Sequence, residues 1–134
     1  MSVFFYISLI IVVLFVALQV YMRLQSQLKR GKQVKGLPEN FVRELDQYPE
    51  VLIYFYTPSC SACKVMTPVI DRLKNEFKNI IKVNLSRDTS IGRLFGILGT
   101  PTIVLVQGTV IQNFVVGARK EDFIRKLLTK NKNS

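Results

Sequence analysis

The stretch from Val51 to Pro68, VLIYFYTPSCSACKVMTP, leaves this chain few ways to fold. It opens with a short β-branched and aromatic run, Val51 to Tyr56, without polar alternation, the pattern of a strand buried on both faces of a sheet. Inside such a sheet the hydroxyls of Tyr54 and Tyr56 need partners. Thr57-Pro58-Ser59 breaks the run. Beyond it Val65, Met66, Val69, Ile70, Leu73 and Phe77 recur at helical spacing, which predicts an amphipathic helix with Cys60 in its first turn.

Cys60 and Cys63 are the only cysteines, and there is no histidine. A spacing of three puts both on one helix face, about 5–6 Å apart at Cβ, and a modest adjustment brings them to disulfide geometry. Free N–H groups and the positive dipole end at a helix start stabilise a thiolate, and Lys64 adds a nearby positive charge. Cys60 is therefore the expected attacking thiolate, and Cys63, one turn deeper, the thiol that resolves the mixed disulfide. Two bland readings fit less well. Zinc usually takes four Cys, His or carboxylate ligands, which this composition supplies poorly. A purely structural bridge across three residues would close too small a loop to restrict the unfolded chain much.

Composition changes sharply near residue 22. Met1 to Met22 carries no charged side chain, and Val3 to Tyr21 is nearly all apolar or aromatic. At ~1.5 Å per residue that run spans close to the ~30 Å of a bilayer core. A cleaved signal peptide should have a basic start, a shorter apolar core and small residues before the cut, to which Ala17-Leu18-Gln19 corresponds poorly. A buried soluble helix is usually shorter. The expected organisation is thus a transmembrane anchor at 1–22, a basic juxtamembrane linker at 23–35 and a folded domain at 36–134.

The net charge of +10 divides evenly: residues 1–36 contribute five basic and no acidic side chains, residues 37–134 fourteen basic and nine acidic. Arg23, Lys29, Arg30, Lys32 and Lys35 directly follow the span, which by the positive-inside rule puts the domain in the cytoplasm and suits contact with anionic lipid head groups. An outward-facing domain is the alternative. In the domain itself the basic residues are scattered, a solvated surface rather than a nucleic-acid patch.

Other elements follow from pattern. The linker reads as part helix leaving the membrane, part short first strand around Gln33 to Leu37. Phe41, Val42, Leu45 and Tyr48 keep helical spacing up to Pro49. Ile80 to Leu85 reads as a strand, and Ile91 to Phe95 as a short helix ended by Gly96. Thr102 to Val106 and Val110 to Val116 form a hairpin about Gly108-Thr109, and Lys120 to Lys130 makes a last helix.

From about Gln33 onward the chain resembles the thioredoxin family, through C-x-x-C-K at Cys60 to Lys64, Pro68 eight residues after the first cysteine, F-G-I-x-G-x-P-T at Phe95 to Thr102, and Gly108 and Gly117 flanking the last strand. The resemblance implies an α/β thioredoxin-like fold, a central mixed sheet with helices on both faces, here preceded by one N-terminal transmembrane helix. It implies a cis peptide before Pro101, with Thr100 and Pro101 facing the cysteines and the Thr100 backbone pairing with a bound substrate segment as an added strand. It implies dithiol exchange with protein disulfide substrates, recycling by a thiol-reducing partner, and no metal or organic cofactor. A non-catalytic binding or assembly module on the same fold is the alternative of a different class.

The chain also departs from the family. Ser59-Cys60-Ser61-Ala62-Cys63 stands where members often have Trp-Cys-Gly-Pro-Cys, and Tyr54 takes the place of a buried Asp that helps deprotonate the resolving thiol. Lys82 matches the family's strand lysine and reads more simply as a partly exposed surface residue.

Overall fold

A computed structural model describes residues 1–130; the last four residues of the expected 36–134 unit lie outside the described residues. In chain order the elements are α1 (Ser2–Leu28), α2 (Glu39–Asp46), β1 (Val51–Tyr56), α3 (Ser61–Glu76), β2 (Ile80–Asn84), α4 (Thr89–Phe95), β3 (Thr102–Gln107), β4 (Val110–Val116) and α5 (Glu121–Lys130). The sheet order is β2-β1-β3-β4. β1 runs parallel to β2 and antiparallel to β3, and β3 pairs antiparallel with β4, with a bulge between Leu105 and Val106. This is the expected thioredoxin-like mixed sheet.

Strand alternation divides the core into two layers. Val51, Ile53 and Phe55 of β1 face Phe41 and Leu45 of α2 and Ile91 and Phe95 of α4. Leu52 and Tyr54 face Met66, Ile70 and Leu73 of α3 and Ile124 and Leu128 of α5. The central strand is therefore sealed on both sides, which is why its sequence lacks alternation. Each fully buried Leu or Ile contributes about 1.5–3 kcal/mol relative to exposure.

The N-terminal third departs from the pattern reading. α1 continues unbroken past residue 22 to Leu28, so half of the 23–35 linker is helix. The short first strand around Gln33 to Leu37 does not form. A single bridge joins Gln33 to Val110, supported by Gly31 N–H to Ile111 O (2.6 Å) and Val34 N–H to Thr109 O (2.8 Å). Gly36, at φ +83°, then turns the backbone away from β4 and toward α2 before a ladder can extend.

Candidate active site

β1 delivers the chain to Tyr56, and the Thr57-Pro58-Ser59 turn reverses it so that the Cys60 N–H donates to Thr57 O at 3.3 Å. Cys60 is the N-cap of α3 rather than a residue of its first turn: its backbone is extended (φ −77°, ψ 119°) and its sulfur accepts from the Cys63 N–H at 3.2 Å. The thiol thus occupies the place where a Ser or Asp oxygen usually satisfies a free helix-end donor. Cys63 is buried, Cys60 is partly exposed, and the two are unbridged.

The two sulfurs are driven apart in acidity. Hydrogen bonds from the Cys63 side chain first, then from the Thr100 side chain and the backbone of Cys63 and Ala62, hold the Cys60 thiol below its ordinary value. Burial, then the hydrogen bond it gives to Cys60, pushes the Cys63 thiol up. Lys64 itself is exposed.

The peptide between Thr100 and Pro101 is cis, as the resemblance implies. Its loop is pinned by the Thr102 hydroxyl donating to Gly99 O at 2.6 Å and by the Gly117 N–H donating to Pro101 O at 2.8 Å. Thr100 comes directly to the cysteine, the Cys60 thiol donating to its carbonyl oxygen at 3.5 Å. The four residues singled out from sequence, Cys60, Cys63, Thr100 and Pro101, therefore belong to one locus. Two positions before Thr100, Leu98 is 91 % exposed, and Val65, two after Cys63, is 74 % exposed.

Three contacts, made by Tyr54, the Thr100 side chain and Lys29, were not legible beforehand. The Tyr54 hydroxyl donates toward Cys63 O at 3.4 Å and pairs with the Thr67 hydroxyl at 3.0 Å, so a neutral phenol lies under the resolving cysteine. Burial, against a smaller opposing effect of Thr67, pushes its pKa up to about 12. Beside it Tyr56 stacks on Tyr54 with centroids 5.4 Å apart. Lys82 lies 5.2 Å from the Tyr56 ring and pairs with Asp71 at 2.9 Å, so its charge is engaged away from the thiols. The Thr100 side chain, not only its backbone, acts on Cys60. Finally, Lys29 at the end of α1 donates to Gly96 O at 2.6 Å and sits 4.2 Å above the Phe114 ring, tying the first helix to the loop that leads to Thr100. Burial, then Lys32, lowers the Lys29 pKa. Among the described residues no group of three or more His, Cys, Asp or Glu gathers in a form that could hold a metal ion.

Comparison with known proteins matches residues 32–130 to the thioredoxin family model. A thioredoxin of Chlorobaculum thiosulfatiphilum is 30% identical over 100 residues, covering 72% of this chain and 93% of that protein. Thioredoxin 1 of a Nostoc species is 28% identical over 90 residues, covering 65% and 84%. Among solved structures, a mutant thioredoxin from Halobacterium salinarum superposes with a TM-score of 0.64 at 26% identity, covering 72% of this chain and 86% of that one.

Proposed function

This chain belongs to the thioredoxin family of thiol-disulfide redox proteins, and from that premise we propose that it is a membrane-anchored reductase of protein disulfides, its domain on the cytoplasmic side. The observation that supports the chemistry best is the split in acidity between Cys60, an accessible N-cap thiol held down, and Cys63, a buried thiol held up. At neutral pH that combination favours one attacking thiolate and one reserve thiol.

The Cys60 thiolate attacks one sulfur of a substrate disulfide, forming a mixed disulfide and expelling the other substrate sulfur as a thiolate. Cys63 then loses its proton and attacks Cys60 Sγ, which releases the second substrate thiolate and leaves a Cys60–Cys63 disulfide. Two electrons have passed from the dithiol to the substrate, and an external dithiol must return them. Thr100 and Pro101 line the approach to Cys60, and the Thr100 backbone supplies strand-like hydrogen bonds to the substrate segment.

Ser2–Gln25 is long and apolar enough to cross a membrane, with none of its apolar window buried against the rest of the described chain. That exposure favours an anchor over a soluble core helix, and the basic residues after it favour a cytoplasmic domain. The full chain in detergent should reduce insulin disulfides with a dithiol donor, Cys60→Ser should abolish turnover, and Cys63→Ser should accumulate a mixed disulfide with substrate. Inactivity of the wild-type chain would favour a binding module, the reading that Tyr54 in place of a carboxylate keeps open. Labelling of Cys60 in intact cells by a membrane-impermeant maleimide tests the topology: labelling only after lysis is the expected result, and labelling from outside would transfer the assignment to an outward-facing oxidase, isomerase or apocytochrome reductant.

A further inference from the structure

Along the edge strand β4, α1 and the segment between β4 and α5 border a cleft of about 490 Å³. Arg23 and Arg30 reach it from the α1 side, and Arg119 from the domain. No carboxylate lines it, and among the described residues none of these three arginines forms an ion pair. Arg119 donates only to the neighbouring Ala118 O, at 3.3 Å, and its guanidinium lies 5.7 Å from the Phe123 ring. Three unneutralised guanidinium groups converging on one concavity repel one another, and an anion of matching size relieves that repulsion.

The rest of the lining says which anion. Met22 and Phe123 give the cleft an apolar wall, and Gln19, with Ser8 one of the few polar residues in the apolar run, opens onto it. Arg23 to Leu28 covers ~8 Å along α1, with Arg30 in the turn just past its end, a reach on the order of the interfacial layer of a bilayer. A soluble anion would use the arginines and leave the apolar wall wet. A molecule with a phosphate at one end and a glycerol and acyl chain at the other satisfies both.

Resting on the anchor reading above, we propose that this cleft binds the head-group phosphate of an anionic phospholipid, with Arg23, Arg30 and Arg119 on the phosphate and Met22 and Phe123 against the glycerol and first acyl methylenes. Because Arg119 belongs to the folded domain, the lipid bridges domain and anchor instead of merely attracting a basic tail.

The test uses the full chain in detergent micelles, with bound lipid counted by native mass spectrometry after titration with phosphatidylglycerol or phosphatidylcholine, and with inorganic phosphate as competitor. Saturable retention of one phosphatidylglycerol, at least ~5-fold over phosphatidylcholine, is expected. It should fall at least ~5-fold in Arg119→Gln and stay unchanged in Arg87→Gln, which removes the same charge at an exposed site elsewhere. Arg119→Lys, which keeps the charge but not the planar fork, should fall between them. Equal retention of both lipids, equal loss in the Arg119 and Arg87 variants, or displacement by millimolar inorganic phosphate would overturn the assignment. Partitioning of the chain into detergent reads the anchor separately: a chain that partitions but shows no lipid preference loses this site and keeps its anchor, and a chain that stays in water loses both.

Discussion

The Tyr54 hydroxyl reaches the Cys63 carbonyl oxygen at 3.4 Å from a side chain with no exposed surface. Tyr54→Phe keeps the ring and removes two hydrogen bonds, so the fold should persist with stability lower by about 1 kcal/mol, read by urea unfolding. In ultraviolet titration the phenol that ionises near 12 should disappear with that substitution. Sign follows from cause: burial disfavours the phenolate, so Tyr54 stays neutral through the whole working range of a thiol. Installing a carboxyl instead, Tyr54→Asp, should destabilise by about 3–5 kcal/mol, because the ring's volume is lost and a carboxyl is buried.

Thr100 has a second assignment, through its side chain. Since hydrogen bonds from Cys63 and Thr100 lower the Cys60 pKa, the pH midpoint of Cys60 alkylation by iodoacetamide should lie below that of an ordinary thiol, with the rate rising as pH rises through it. Thr100→Val removes the hydroxyl at nearly constant shape and should shift the midpoint upward. Cys63→Ala, which deletes the leading contribution, should shift it upward as well. An unmoved midpoint in both variants would mean that the backbone alone sets the acidity.

Lys82 serves as a negative control for that experiment. Its ion pair with Asp71 directs the charge to the protein surface, so Lys82→Gln should leave the alkylation profile of both cysteines in place. A displaced Cys63 profile would show that the ammonium reaches the thiols after all.

Where α1 meets the loop before Thr100, Lys29→Met should cost about 1 kcal/mol by removing the hydrogen bond to Gly96 and the contact with Phe114. The end of α1 should then come loose, and tryptic cleavage at Arg30 and Lys32 of the detergent-solubilised chain should accelerate relative to wild type.

How much of this was legible follows from what periodicity encodes. β1 and α3 were readable because a doubly buried strand and an amphipathic helix each leave a pattern in the residues that form them. The locus of Cys60, Cys63, Thr100 and Pro101 was readable because its motifs have fixed spacing. Cys60 proved to be the cap of α3, one place outside the expected turn, because only the backbone angles separate an N-cap from a first helical residue. The strand expected at Gln33 shrank to one bridge since Gly36 leaves β4, which an alternation pattern does not register. Tyr54 with Thr67, and Lys29 with Gly96, join residues 13 and 67 positions apart, contacts that local pattern cannot specify.

The bridge at Gln33 and the grip of Lys29 on Gly96 use up the connection between α1 and the domain. With so little slack, the domain stays close to the end of α1 unless contacts worth about 1 kcal/mol each are broken. Anchored by α1 in a bilayer, it would patrol two dimensions at a fixed height, and which disulfides it met would depend on how far above the same membrane they stood.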